Sequence, residues 1–244
     1  MTEKTDNSIQ DITAKALQLT AATGLEAGCQ LIEAEGVSID AALAYKEFAQ
    51  ALYRQNKNVQ HMIDAGQRGI EFALDHAARA KSDDAETAAA LMKMARIISY
   101  NVGANTWPGW GDDGISISPD QRAAGIDAAA LSLRLANELR LVPPKMAASH
   151  WLVAAHHIVA KRIEAALPVL DEAERAFATA DDTPAQIMVR GYRALARKLC
   201  VETWATALTE LDLVLECLEQ DASKAARFYQ QQLVVANKIL CADP

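Results

Sequence analysis

Apolar residues recur along this chain three and four positions apart rather than two, which is the period of a helix and not of a strand. Residues 8–22 carry the pattern loosely, and 24–35 read as a short helix stopped by Gly36. Ser38 offers an N-cap to 39–55, where Ala42, Tyr45, Phe48, Ala49 and Leu52 share one face. Residues 58–80 follow with Met62, Ile63, Gly66, Ile70, Phe72 and Leu74. Ser82-Asp83-Asp84 places acidic side chains at the start of a helix, where the dipole favours them, and that helix runs to about Tyr100. Ser118-Pro119 opens another, continuing to Leu141 and ended by Pro143-Pro144. Helices at about 146–161, 163–180, 184–200, 203–219 and 222–241 complete the pattern.

One stretch breaks it. Residues 101–118, NVGANTWPGWGDDGISIS, show no helical period and hold four of the eleven glycines. The chain therefore reads as nine to eleven helices in a single domain, 1–244, with a loop insertion at about 101–118 and a C-terminal capping helix at about 222–241.

Composition agrees with an all-α fold. Forty-nine of the 244 residues are alanine, the best helix former, and only 5% are aromatic. The net charge of −8, with no dense basic patch, argues against a nucleic-acid partner. No apolar run approaches the roughly 20 residues that cross a bilayer, so no membrane partner is expected. Four scattered cysteines without a CxxC pair suit a reducing, cytoplasmic location.

Helices joined by short turns suggest stacked antiparallel hairpins. In 147–182, Val153, Ala154 and His157 lie on a first helix, Ile163, Ala166, Leu170 and Ala173 on a second, and Pro184 comes soon after. Tyr45, Phe48, Ala49 and Leu52 match a first helix; Ala129, Leu133 and Ala136 match a second. This skeleton resembles the tetratricopeptide repeat (TPR), with His157 where an aromatic is usual and spacings longer than the 34-residue unit. The resemblance implies a TPR-like right-handed solenoid whose groove holds a peptide or partner protein.

The candidate contact residues cluster in and near the aperiodic stretch. Trp107 and Trp110 flank Pro108-Gly109, and Asp112 and Asp113 follow; His150 and Trp151 lie on a later helix. Two readings stand: an aromatic lid over a groove, or a loop whose tryptophans plug it onto the helices beneath. Gly109 to Gly114 spells GxGxxG, but no strand precedes it and two carboxylates would face the phosphates, so no dinucleotide cofactor is expected. His150 and His157 share a helix face with His156 beside them, yet no third ligand is spaced for a metal, and no catalytic triad can be read.

The expected function is thus a non-catalytic protein- or peptide-binding module, a scaffold or regulatory adaptor, with no cofactor. The alternative is an enzyme or small-molecule sensor whose pocket the Trp107–Gly114 loop closes. In 222–241, apolar positions wrap around more than one stripe. Either that helix tucks back against the 184–220 hairpin, or it meets a second copy as a homodimer.

Overall fold

The structure, a computed structural model, describes residues 2–241, with side chains from residue 8 onward. The described residues hold helices and no strand. Eleven α-helices follow in order: α1 (Thr2–Thr23), α2 (Leu25–Glu35), α3 (Ser38–Arg54), α4 (Val59–Ala80), α5 (Ala85–Asn105), α6 (Pro119–Glu138), α7 (Pro143–Val159), α8 (Ile163–Thr179), α9 (Thr183–Lys198), α10 (Trp204–Gln220) and α11 (Lys224–Leu240). Short 3-10 turns lie at Pro108–Trp110 and Val201–Thr203. Among the described residues, no helix is long and apolar enough to cross a membrane.

The chain divides into two compact units, one of residues 2–106 and 114–139, the other of 107–113 and 140–241. In the first, each of α1 to α5 packs on the helix that follows it, and α3 also packs on α1 and α5. Ile12, Ala16, Ile32, Tyr45, Phe48, Leu52, Met62, Leu91 and Ile98 fill its core. Alanine and glycine let these helices approach closely. A Cβ on Gly69 of α4 would come within 2.7 Å of the Tyr45 Cβ on α3, so only glycine fits that crossing. In the second unit α7 to α10 pack in sequence, and α11 lies on α9, α10 and the Pro108–Trp110 turn. Its largest fully buried side chains include Trp107, Leu152, Ile158, Leu170 and Tyr192.

Local chemistry sets most helix ends. Ser118 and Gln121 form a reciprocal capping box at the start of α6, with Pro119 at the first helical position. Asp84 accepts from the Thr87 amide at the start of α5. The turns after α7 and α8 are Schellman motifs. Arg162 N–H reaches the His157 carbonyl and Asp182 N–H the Phe177 carbonyl, while Lys161 and Asp181 sit in left-handed backbone at φ 57° and 55°.

Three boundaries differ from the sequence reading. α5 does not stop near Tyr100 but runs through Val102 and Gly103, both buried, to Asn105. Val102 fills the space left by Gly66 of α4, and this tertiary contact outweighs the local break. The aperiodic segment is shortened accordingly to about residues 106–118. Pro143 and Pro144 open α7 rather than close α6, which ends at Glu138; a proline at the first turn of a helix sacrifices no hydrogen bond. Ser38 is the first residue of α3, and Val37 stands at its N-cap.

Candidate functional site

All six sequence-predicted contact residues fall in the second unit. Trp107 is extended and precedes proline, which restricts it to that conformation. Pro108–Trp110 then make one 3-10 turn, and Gly111 leaves it in left-handed backbone at φ 64°. The Trp107 ring lies directly against Gly109, where a Cβ would collide with it.

The structure brings three of the predicted residues together. Trp107 meets Trp110 edge-on, with ring centroids 5.1 Å apart, and Trp151 of α7 at 5.8 Å; Trp110 and Trp151 are 6.0 Å apart. A fourth ring, Tyr192 of α9, lies 5.8 Å from Trp107 and 5.4 Å from Trp151. These separations are those of rings in direct contact. The Trp107 indole N–H donates to the Ala155 carbonyl at 3.2 Å. Trp107, Trp151 and Tyr192 are buried, Trp110 is half-buried, and Asp112 and Asp113 are exposed. The sequence reading missed Tyr192; its only signal was an aromatic among the apolar positions of 184–200.

His150 is half-buried on α7, and burial lowers its pKa below the ordinary imidazole value. Burial also lowers His157, with Arg162 adding to the effect. His156 is buried and His157 half-buried. No group of three or more His, Cys, Asp or Glu among the described residues is placed to hold a metal ion.

The first unit carries a feature that the sequence reading did not single out. Between α1 and α3 lies a cleft of about 470 Å³. Ile9, Ala14, Leu17, Leu43 and Ala51 give it an apolar lining, with Gln10, Lys46, Glu47 and Gln55 adding polar groups. Lys46 Nζ and Glu47 Oε1 pair at 2.6 Å, so this charged pair is neutral as a whole.

Elsewhere in the same unit, Glu33 of α2 ties three helices together. Arg68 of α4 donates from Nε to Oε1 at 2.7 Å and from Nη2 to Oε2 at 3.1 Å, and the Tyr45 hydroxyl of α3 donates to Oε1 at 2.7 Å. Arg68's hydrogen bonds hold the Glu33 carboxyl below the usual carboxylate range, with Tyr45 helping. Burial, followed by Glu33, raises the Tyr45 phenol far above its ordinary value. Beside this network, Leu25, Glu26, Cys29, Asp64, Gln67, Arg68 and Glu71 line a smaller cleft of about 230 Å³.

No protein-family model matches the chain, and no curated protein matches it by sequence.

Proposed function

We propose that the chain is a non-catalytic binding module of TPR-like helical hairpins that holds a peptide or a partner protein. The observation that carries this reading is the cleft between α1 and α3. Its α1 lining runs from Ile9 to Leu17, about 12 Å of helix at 1.5 Å per residue. Apolar side chains beside polar ones suit the apolar stripe of an amphipathic segment, laid in the groove with its polar side outward.

The spacing of the lining residues supports the repeat reading. Ile9 and Leu43, Thr13 and Glu47, and Leu17 and Ala51 are each separated by 34 residues, the length of one TPR unit. The first residues of α2 and α4, Leu25 and Val59, keep the same interval, whereas α3 and α5 begin 47 residues apart, at Ser38 and Ala85. The 34-residue interval thus relates the first two hairpins, α1–α2 and α3–α4, and α5 departs from it.

Selection from a displayed library of amphipathic helical peptides tests the reading. Enriched peptides are expected to lose at least about tenfold in affinity, which is about 1.4 kcal/mol, when Leu17→Lys and Leu43→Lys charge the cleft. No enrichment on the native chain, or affinity unchanged by the two substitutions, contradicts it.

A further inference from the structure

The two helices α10 and α11 carry opposite charge. Between Trp204 and Gln220, α10 has four carboxylates (Glu210, Asp212, Glu216, Glu219) and no basic residue; between Lys224 and Leu240, α11 has Lys224, Arg227 and Lys238 and no acidic residue. Glu210 is half-buried and spoken for by Arg197 at 2.7 Å. The rest point outward. Ala205, Thr209, Asp212, Glu216 and Glu219 form one exposed stripe at alternating spacings of four and three. Lys224, Arg227, Gln231, Val234 and Lys238 form the matching stripe on α11, also exposed.

None of these outward charges is in an ion pair among the described residues. Glu216 accepts only a neutral hydrogen bond, from Gln220 at 3.3 Å, and Arg227 donates to the Ala222 carbonyl at 3.0 Å. Apolar side chains lie in the open within or beside the stripes: Leu213 is 56% exposed, Val234 50% and Phe228 57%. Large apolar groups beside unpaired, complementary charge mark an interaction surface rather than a plain solvated face.

We propose that this surface pairs with a second copy of the chain, α10 of each copy lying on α11 of the other. The arrangement is isologous: what α10 offers, the partner's α11 accepts, and the reverse contact forms at the same time, closing the assembly at two. A two-fold axis along the helices keeps every residue at its own height. The partner's α11 then meets α10 at the level where the chain's own α11 does, a level fixed by the Gln230 hydrogen bond to the Leu215 carbonyl at 3.4 Å. At that level the Glu216–Glu219 end of α10 faces the Lys224–Arg227 end of the partner's α11. Exposed charges supply much of the recognition, so salt weakens the dimer. This proposal is independent of the α1–α3 cleft and stands or falls apart from it.

Charge reversal with sedimentation velocity tests it, circular dichroism confirming that each variant stays helical. At low ionic strength and micromolar concentration the native chain is expected at twice its 26.4 kDa, shifting toward the monomer at high ionic strength. Glu216→Lys with Glu219→Lys puts like charge on both helices and should give a monomer. Lys224→Glu with Arg227→Glu should do the same. Mixing the two variants restores both complementary contacts and should restore the dimer, as should all four substitutions in one chain. A native chain at 26.4 kDa throughout overturns the proposal. So does a dimer that either reversal leaves intact, or a mixture no heavier than its parts.

Discussion

The indole N–H of Trp107 donates to the main-chain carbonyl of Ala155, 48 residues further along the chain, at 3.2 Å. That bond pins the Trp107–Asp113 segment to α7, and the rings of Trp151 and Tyr192 close around it. Truncating a buried tryptophan removes its contacts and leaves a cavity, so Trp107→Ala is expected to cost about 3–5 kcal/mol. All four tryptophans lie in this unit, so intrinsic fluorescence during urea unfolding reads the loss directly. A loss under about 1 kcal/mol would be that of a peripheral surface side chain and would contradict the packing described.

Glu33 gives the first unit a defined response to acid. Its folded-state pKa is depressed by Arg68 below the ordinary 4.5. The stabilisation is therefore full above that ordinary value and is lost as pH falls through the folded value. Glu33→Gln should flatten this part of the acid-unfolding curve and cost about 1–2 kcal/mol at pH 7; Arg68 is 38% exposed on its side chain and keeps water when its partner is gone. Tyr45→Phe should cost about 1 kcal/mol and leave the acid limb in place, because Glu33 keeps Arg68. Chemical denaturation across pH 3–7 separates the two variants. An acid limb of native steepness in Glu33→Gln would contradict the assignment.

How much of this was legible in the sequence follows from which contacts are local. The helices were, because alanine content and apolar spacing are properties of one segment. The Ser118-Pro119 start of α6 was too, because a capping box is complete within four residues. The end of α5 was not: Val102 and Gly103 read as a break, and only the neighbouring Gly66 makes room for the helix to continue. Pro143-Pro144 was ambiguous in itself, since proline both ends one helix and begins the next. Trp107, Trp110 and Trp151 could be singled out as unusual residues, but their meeting with Tyr192 depends on how α7 and α9 pack. The Glu33–Arg68 pair and the α1–α3 cleft escaped notice for the same reason. They join helices whose relative register no single segment encodes.

The left-handed residues at the ends of α7 and α8 make a stabilising substitution available. Lys161 holds φ 57° at a Schellman position where glycine meets no steric cost. Lys161→Gly should raise stability by about 0.5–1 kcal/mol, the relieved strain exceeding the added freedom of the unfolded chain. Thermal unfolding checks this, and a lowered midpoint would show that the lysine side chain, not the backbone, dominates there.

The crossing of α3 and α4 leads to the opposite expectation. Gly69→Ala places a methyl 2.7 Å from the Cβ of Tyr45, an atom fixed to the backbone. The helices must separate, at a cost of about 1–3 kcal/mol. The higher helix propensity of alanine offsets only part of that. Circular dichroism during thermal unfolding measures the balance, and an unchanged or raised midpoint would contradict the close approach.

Amide hydrogen exchange on the chain with and without a peptide enriched by library selection tests the central claim most directly. The account predicts slowed exchange in α1 and α3, centred on Ile9–Leu17 and Leu43–Gln55, the segments that line the cleft. Protection confined to the Trp107–Asp113 segment or to α10 and α11, with α1 and α3 exchanging as in the free chain, would contradict it.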